Sequence, residues 1–530
     1  MKSPRSRAQT EESRFSLTGF LAGLKDWHIL LAILVVHLVL ALLLFDPKLA
    51  TGGDNAQYII LAKSILQGKY NNLHEPGAPI HVLYPPGFPL LIAPALAVSG
   101  SSFIPMKLVV LLCSLGTIAF MALFLKRVLP DRSWIMPVLL TATCPLILDY
   151  SHWLFSEVPF LFFSALTLYL FQRALSIEKN RLLNVGIAAV SLGATYYIRS
   201  QGLFLIGAMC LVLLFRRRWR ELAVLVVVVG AIALPWFIRN QSVAHGGYLP
   251  WFLTKDPYNI EAGRLTLADV LQRFITNVKL YVLQVYPSTV LPVISPRAGS
   301  LLAICGVVLS ALTAFGLVRF VFQRKLGALE WYTLFSVAVV LLWPSVWSGD
   351  RFLLPVVPFL LYYLYWALAD LGRRIGFRQL GVLSAAAIVL LFGVTNAGRA
   401  TVNVANLKQY FQGDRFAGYD DAWRTYFESA SWLRDHTEPG SIVVSRKPQF
   451  TYLYSGRQSF VFPYTSDENK VLSALDSLGA THVALDNLEG FFTQSMRYMY
   501  PVIRDHPERF QQIGFVGSQY SGVVMYTVKR

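Results

Sequence analysis

Residues 51–69 read T-G-G-D-N-A-Q-Y-I-I-L-A-K-S-I-L-Q-G-K, and after a polar interval residues 82–92 read V-L-Y-P-P-G-F-P-L-L-I. The stretch follows the first long apolar segment of the chain directly. Asp54 stands after Gly52-Gly53 and before a run in which Ile59, Ile60, Ala62, Ile65 and Leu66 share one helical face. Gly68 ends that run as a helix C-terminus would. Tyr84-Pro85-Pro86-Gly87-Phe88-Pro89 predicts an extended, rigid approach to the next apolar stretch. One acid is therefore expected at the mouth of a membrane bundle, on a helix lying along its surface.

Composition sets the class. The 530 residues are 55% hydrophobic and only 15% charged, against roughly 25% charged in soluble domains, which points to an integral membrane protein. The net charge of +17 is concentrated before residue 397; the tail from 397 to 530 holds 14 Lys and Arg against 13 Asp and Glu. A nucleic-acid binder would gather its basic residues on a soluble surface. Here they punctuate apolar segments, as membrane orientation requires, so no nucleic-acid partner is expected. Cys113, Cys144, Cys210 and Cys305 all lie in apolar segments without metal-ligand spacing. The first apolar run is too long for a signal-peptide core and lacks a small-residue cleavage site, which predicts an uncleaved helix.

Eleven stretches are candidate spans: 27–45, 104–125, 134–148, 157–174, 183–198, 202–215, 221–238, 299–322, 329–346, 353–370 and 379–396. Alternate connections are basic, including Lys126-Arg127, Arg216-Arg217-Arg218 and Arg373-Arg374, while the intervening short ones are poor in Lys and Arg. The positive-inside rule makes the basic set cytoplasmic. The N-terminus is then inside, the tail is extracytoplasmic (periplasmic, for a plasma or inner membrane), and two long loops, 46–103 and 239–298, are external. The second contains a partly amphipathic run, Leu267–Val285, suited to the membrane interface. Residues 1–396 form the polytopic α-helical membrane domain and 397–530 an extracytoplasmic α/β domain. In the tail, strands are expected at S-I-V-V-S, S-F-V-F-P, T-H-V-A-L-D and G-V-V-M-Y-T-V. Helices are expected at D-D-A-W-R-T-Y-F-E-S-A-S-W-L-R-D, Glu468–Leu478 and Phe491–Arg504.

Ionisable residues at membrane depth are costly and tend to serve a site or a partner. Five fall at the external ends of spans: Asp54, Glu157, Arg199, Arg239 and Arg351. Two acids and three arginines on one face suit an acceptor hydroxyl and an anionic donor. Each has a structural alternative. Asp54 is placed to cap its helix, Glu157 to cap or to pair with an arginine, and the arginines to snorkel to headgroups. Tyr84 and Trp236 fit an interfacial aromatic belt; His81, His152 and Glu75 fit solvated or structural loop positions.

G-G-D after a first membrane helix, followed by Y-P-P-G-x-P, resembles the first external loop of the GT-C glycosyltransferases, in the branch of protein O-mannosyltransferases and lipid A aminoarabinose transferases. D-R-F-L-L-P-V-V-P at 350–358 is similar to a late helix start of that branch, and P-W-F-I-R-N at 235–240 adds to the match. The resemblance implies a catalytic Asp54 acting on the acceptor, Glu157 as a second acid, and substrate binding by Arg199, Arg239, Arg351, Tyr84 and His81. It implies a polyprenyl-phosphate-linked sugar as donor, among membrane lipids, and a lipid, glycan or protein as acceptor. The mannosyltransferases' paired D-E is Asp54-Asn55 here. One acid is missing, which leaves a divalent metal and strict mannosyl chemistry open, and no metal ligand is assigned. The alternative class is a multi-span transporter or flippase of lipid or solute. Transporters place polar groups at the midplane, whereas this chain collects them at one face.

Overall fold

The computed structural model describes residues 24–100, 102–243, 248–324, 326–488 and 493–529. Every one of the eleven apolar stretches holds a helix. Among the described residues, seven helices are long and apolar enough to cross a membrane: Asp26–Leu43, Ile104–Val128, Glu157–Ser176, Trp219–Val243, Gly299–Gln323, Asp350–Arg374 and Leu380–Phe411. Gly202–Phe215 and Ala328–Leu342 are apolar but shorter. The stretch 134–148 is broken, with Ile135–Thr143 and Pro145–Tyr150 joined at an extended Cys144, because a residue before proline is driven out of the helical region.

Two helices show how the bundle is layered. In the Asp350–Arg374 span 78% of the most apolar window is buried inside the protein, against 17% for Trp219–Val243. The first is the core of the bundle; the second turns Val226, Val227, Leu234 and Ile238 outward, a surface that needs lipid. The amphipathic helix in the second long loop runs Leu267–Leu280, with Thr266 and Asp269 closing a capping box.

Three local expectations are corrected. Asp54 does not cap its helix: Gly53 is the cap residue, Asp54 is the first residue of Asp54–Leu66, and no side chain caps that end. Its carboxylate is thereby left for other partners. The Y-P-P-G-F-P segment is not extended throughout, since a helix begins at Gly87 and runs to Ser99. Pro89 fits its first turn, where N–H groups have no intrahelical acceptor. A Cβ on Gly87 would sit 2.5 Å from the backbone carbonyl of Tyr197, so glycine is what lets this helix lie against Arg181–Ile198. Finally, the composition change after 396 falls inside one helix, Leu380–Phe411.

The tail carries a five-stranded sheet. Its strands are β1 (Ile442–Val444), β2 (Gln458–Phe460), β3 (His482–Leu485), β4 (Phe510–Val516) and β5 (Val523–Val528), in the order β2-β1-β3-β5-β4. β1 pairs in parallel with β2 and β3, while β5 is antiparallel to β3 and β4. β4 and the short helix Pro448–Ser455 were not expected. Of the expected helix at 491–504, residues 491–492 lie outside the described set, and the rest is helical from Ser495 to Asp505.

The tail is fastened to both long loops. Ser459 donates its N–H to the His74 carbonyl (2.6 Å) and Gln458 its side-chain amide to that of Glu75 (3.1 Å). Helix Pro448–Ser455 packs on Asp54–Leu66. Thr465 and Ser466 both donate to Glu261 Oε1, at 2.8 and 3.0 Å.

Candidate active site

Asp54, Glu157, Arg199 and Arg351 meet in one cluster. Each arrives on the first residues of a helix or on a turn between two. Asp54 and Glu157 open Asp54–Leu66 and Glu157–Ser176; Arg351 lies in the first turn of Asp350–Leu353, and Arg199 is the residue after Arg181–Ile198. Arg351 bridges the two acids: Nη1 lies 2.7 Å from Asp54 Oδ2 and Nε 2.5 Å from Glu157 Oε1. Arg199 Nη1 also reaches Glu157 Oε1, at 2.6 Å. The four formal charges cancel.

The two carboxylates differ. The Glu157 side chain is wholly buried, with Oε1 taking both arginines and Oε2 without a hydrogen-bond partner among the described residues. Asp54 keeps 34% of its side chain exposed, so a substrate can reach it. Its burial alone would raise its pKa; the charge of Arg351 and the Tyr84 hydroxyl, which donates to Oδ1 at 2.9 Å, outweigh that and hold it below the ordinary value. A partly exposed, ionised Asp54 can accept a proton, whereas the buried Glu157 holds the two arginines.

Several members of the cluster carried no sequence signal of their own. Ser156 is the cap residue of its helix but makes no capping bond. Its hydroxyl accepts from Arg199 (3.0 Å) and shares a hydrogen bond with Tyr58 (2.9 Å). The Phe155 ring lies 4.2 Å from the Arg351 guanidinium carbon, giving that cation an aromatic face. Gln201 accepts from Arg199 Nε at 3.0 Å. Tyr84, expected in an aromatic belt or against substrate, is bonded to the candidate base.

Arg239 and His81 stand apart from the acids. Arg239 donates to the carbonyls of His81 (2.9 Å) and Tyr70 (3.4 Å), and lies over the Tyr70 and Trp236 rings. His81 accepts the Tyr84 N–H at Nε2 (2.8 Å). Its Nδ1 lies 2.8 Å from Asn72 Oδ1, so Nδ1 carries the proton. Burial, with the charge of Arg239 among lesser causes, brings its pKa down to about 3, and a neutral ring braces the loop that presents Tyr84. Both residues shape the first loop here and touch neither carboxylate.

No group of three or more His, Cys, Asp and Glu that could hold a metal occurs among the described residues. Asn55 is buried and its side-chain amide donates to the Ala50 carbonyl, away from the Asp54 carboxylate.

Residues 84–240 match the dolichyl-phosphate-mannose-protein mannosyltransferase family. That stretch contains Tyr84, Glu157, Arg199 and Arg239, while Asp54 precedes it and Arg351 follows it. No curated protein matches the sequence. The fold is shared with three solved proteins. An oligosaccharyltransferase of Archaeoglobus fulgidus, tethered to an acceptor peptide, aligns with a TM-score of 0.57 at 12% identity, over 96% of this chain and 74% of that one. ArnT from Cupriavidus metallidurans, bound to undecaprenyl phosphate, aligns at 0.56 and 13%, over 97% and 98%. The arabinofuranosyltransferase AftD from mycobacteria aligns at 0.51 and 14%, over 96% and 40%. The chain thus shares its fold with these three proteins, and residues 84–240 resemble the mannosyltransferase family in sequence.

Proposed function

We propose that the chain transfers a sugar from a polyprenyl-phosphate-linked donor to an acceptor hydroxyl, at the extracytoplasmic face of the plasma (inner) membrane. The observation that carries this reading is the Arg351 guanidinium held between Asp54 and Glu157. ArnT binds undecaprenyl phosphate, and the A. fulgidus enzyme has been solved with a dolichol phosphate; the donor class assigned here is the same. The donor phosphate competes with Asp54 for Arg351 and so releases the carboxylate toward the acceptor. Asp54 takes the acceptor proton as that oxygen attacks C1 of the sugar. The C1–O bond to phosphate breaks, and polyprenyl phosphate leaves with both electrons. Arg351 and Arg199 offset the charge that develops on it, while Glu157 keeps both guanidinium groups in place.

Asn in place of Asp54 keeps shape and hydrogen bonding but cannot take the proton. Positioned base catalysis contributes about 10²–10⁴-fold, so purified Asp54→Asn should fold normally and lose turnover on that scale when release of polyprenyl phosphate is measured. Near wild-type release would remove Asp54 from the chemistry.

A further inference from the structure

The helix Leu267–Leu280 is inverted for a protein in water. Leu267, Leu271, Phe274 and Ile275, spaced as one helical face, are exposed, while Arg273 and Asn277 are buried. Tyr281, four residues further on, is buried as well and opens a π-helical turn, Tyr281–Val285. Such turns are frequent at functional sites. Lipid against the apolar face and protein against the polar one account for this orientation.

The buried polar stripe is directed at backbone. Arg273 donates to the carbonyls of Phe252 (2.8 Å) and Thr254 (2.7 Å) in the preceding part of the loop. Asn277 donates to the carbonyls of Leu341 (3.0 Å) and Trp343 (2.7 Å), where Ala328–Leu342 ends and its last carbonyls lack intrahelical donors. The Tyr281 hydroxyl accepts the N–H of Gly349 and donates to the carbonyl of the same residue, both at 3.1 Å.

Gly349 stands two residues before Arg351. The helical turns on either side of it, Ser345–Trp347 and Asp350–Leu353, have no side-chain cap. One phenol thus binds both polar groups of the residue from which the chain enters the Arg351 turn. Placement there decides the cluster. Arg351 reaches Asp54 at 2.7 Å and Glu157 at 2.5 Å through different nitrogens, and a shift of about 1 Å would carry either contact out of hydrogen-bond range.

We propose that Tyr281 is a positioning residue for Arg351. Carried on a helix that lies in the membrane surface and is pinned by Arg273 and Asn277, it sets the guanidinium between the two acids and so governs the hold on the donor phosphate. Tyr281 acts through the Gly349 backbone alone. The proposal rests on the transferase reading and extends its machinery to the second long loop.

The test compares the full chain in nanodiscs with Tyr281→Phe, which keeps the ring and loses both hydrogen bonds. Gln272→Ala, on the exposed side of the same helix, is the control. Three quantities are measured: hydrogen exchange of the segment 345–353, the donor KM, and the acidic limb of the pH–rate profile. In Tyr281→Phe the segment should exchange faster. The donor KM should rise about five- to tenfold, the scale of one hydrogen bond. The acidic limb should move to higher pH, because Asp54 loses part of the Arg351 charge that keeps it ionised. Gln272→Ala should match the native chain in all three. A lowered Tm with KM and acidic limb unchanged would make Tyr281 a packing residue and overturn the proposal, as would unchanged exchange at Gly349. A native chain that releases no polyprenyl phosphate would sink the transferase reading and this role with it. Native release with an unaltered KM in Tyr281→Phe would sink the role of Tyr281 alone.

Discussion

Tyr84 Oη donates to Asp54 Oδ1 across 2.9 Å, tying the proline-rich segment to the first residue of the largely buried helix Asp54–Leu66, thirty positions earlier. The bond favours the carboxylate over the acid. Tyr84→Phe removes it, and the Asp54 pKa rises. The acidic limb of the pH–rate profile should move to higher pH in the variant, because a larger share of Asp54 is then protonated at a given pH. Near neutrality Asp54 stays ionised in both proteins, with Arg351 still beside it, so turnover should fall on the acidic limb and change little at pH 7. An unmoved limb would separate Tyr84 from the base.

Arg351 permits two substitutions with different outcomes. Lys keeps the charge but is a single point of contact, while the guanidinium uses separate nitrogens for Asp54 and Glu157. Arg351→Lys should raise the donor KM with little change in thermal stability. Arg351→Ala leaves the wholly buried Glu157 with Arg199 as its remaining ion-pair partner. Breaking a buried pair costs about 3–5 kcal/mol, so this variant should also lose stability, as measured by its Tm in detergent. Equal Tm for both variants would show that Glu157 does not depend on Arg351.

Acid should weaken the first loop through His81. Its folded-state pKa is brought down to about 3, from 6.5 in the unfolded chain. Above pH 6.5 the ring is neutral in both states and contributes no pH dependence. Between pH 6.5 and 3 the unfolded chain binds a proton that the folded one does not, so stability falls by about 1.4 kcal/mol per pH unit for this group. His74, brought down to about 4 by burial, adds the same sign. Thermal midpoints measured from pH 7 to 5 should fall, and His81→Gln should flatten the slope.

Orientation can be read by labelling. Ser466 in the tail and Ser176 at the end of the Glu157–Ser176 helix are both exposed. Ser466→Cys should react with an impermeant maleimide in intact spheroplasts, and Ser176→Cys only after lysis. The opposite pattern would put the cluster on the cytoplasmic side.

What the sequence made legible follows from what membrane burial makes expensive. Asp54, Glu157, Arg199 and Arg351 stood out because a charge at the end of an apolar span needs a reason, and the structure brings all four together. Arg239 looked the same by that criterion, yet it spends its donors on loop carbonyls, and spacing alone does not reveal where a long side chain turns. Ser156 and Phe155 were hidden because an ordinary helix-start serine and an ordinary aromatic gain meaning only beside the arginines. In the tail, β4 escaped because F-Q-Q-I-G-F-V carries a register shift between Gln512 and Gly514 that breaks the two-residue alternation.

The bond from Gln458 to the Glu75 carbonyl spans 383 positions of sequence. On a ribosome adding roughly 5–20 residues per second, the first loop waits roughly 20–80 s for the segment that braces it. Asp54 and Tyr84 reach the membrane surface early, and the helix and strand that buttress them are made near the end. The nascent enzyme therefore acquires its completed mouth only after the last domain has folded, and a chain stopped before residue 448 would be an inserted bundle with an unsupported active-site loop.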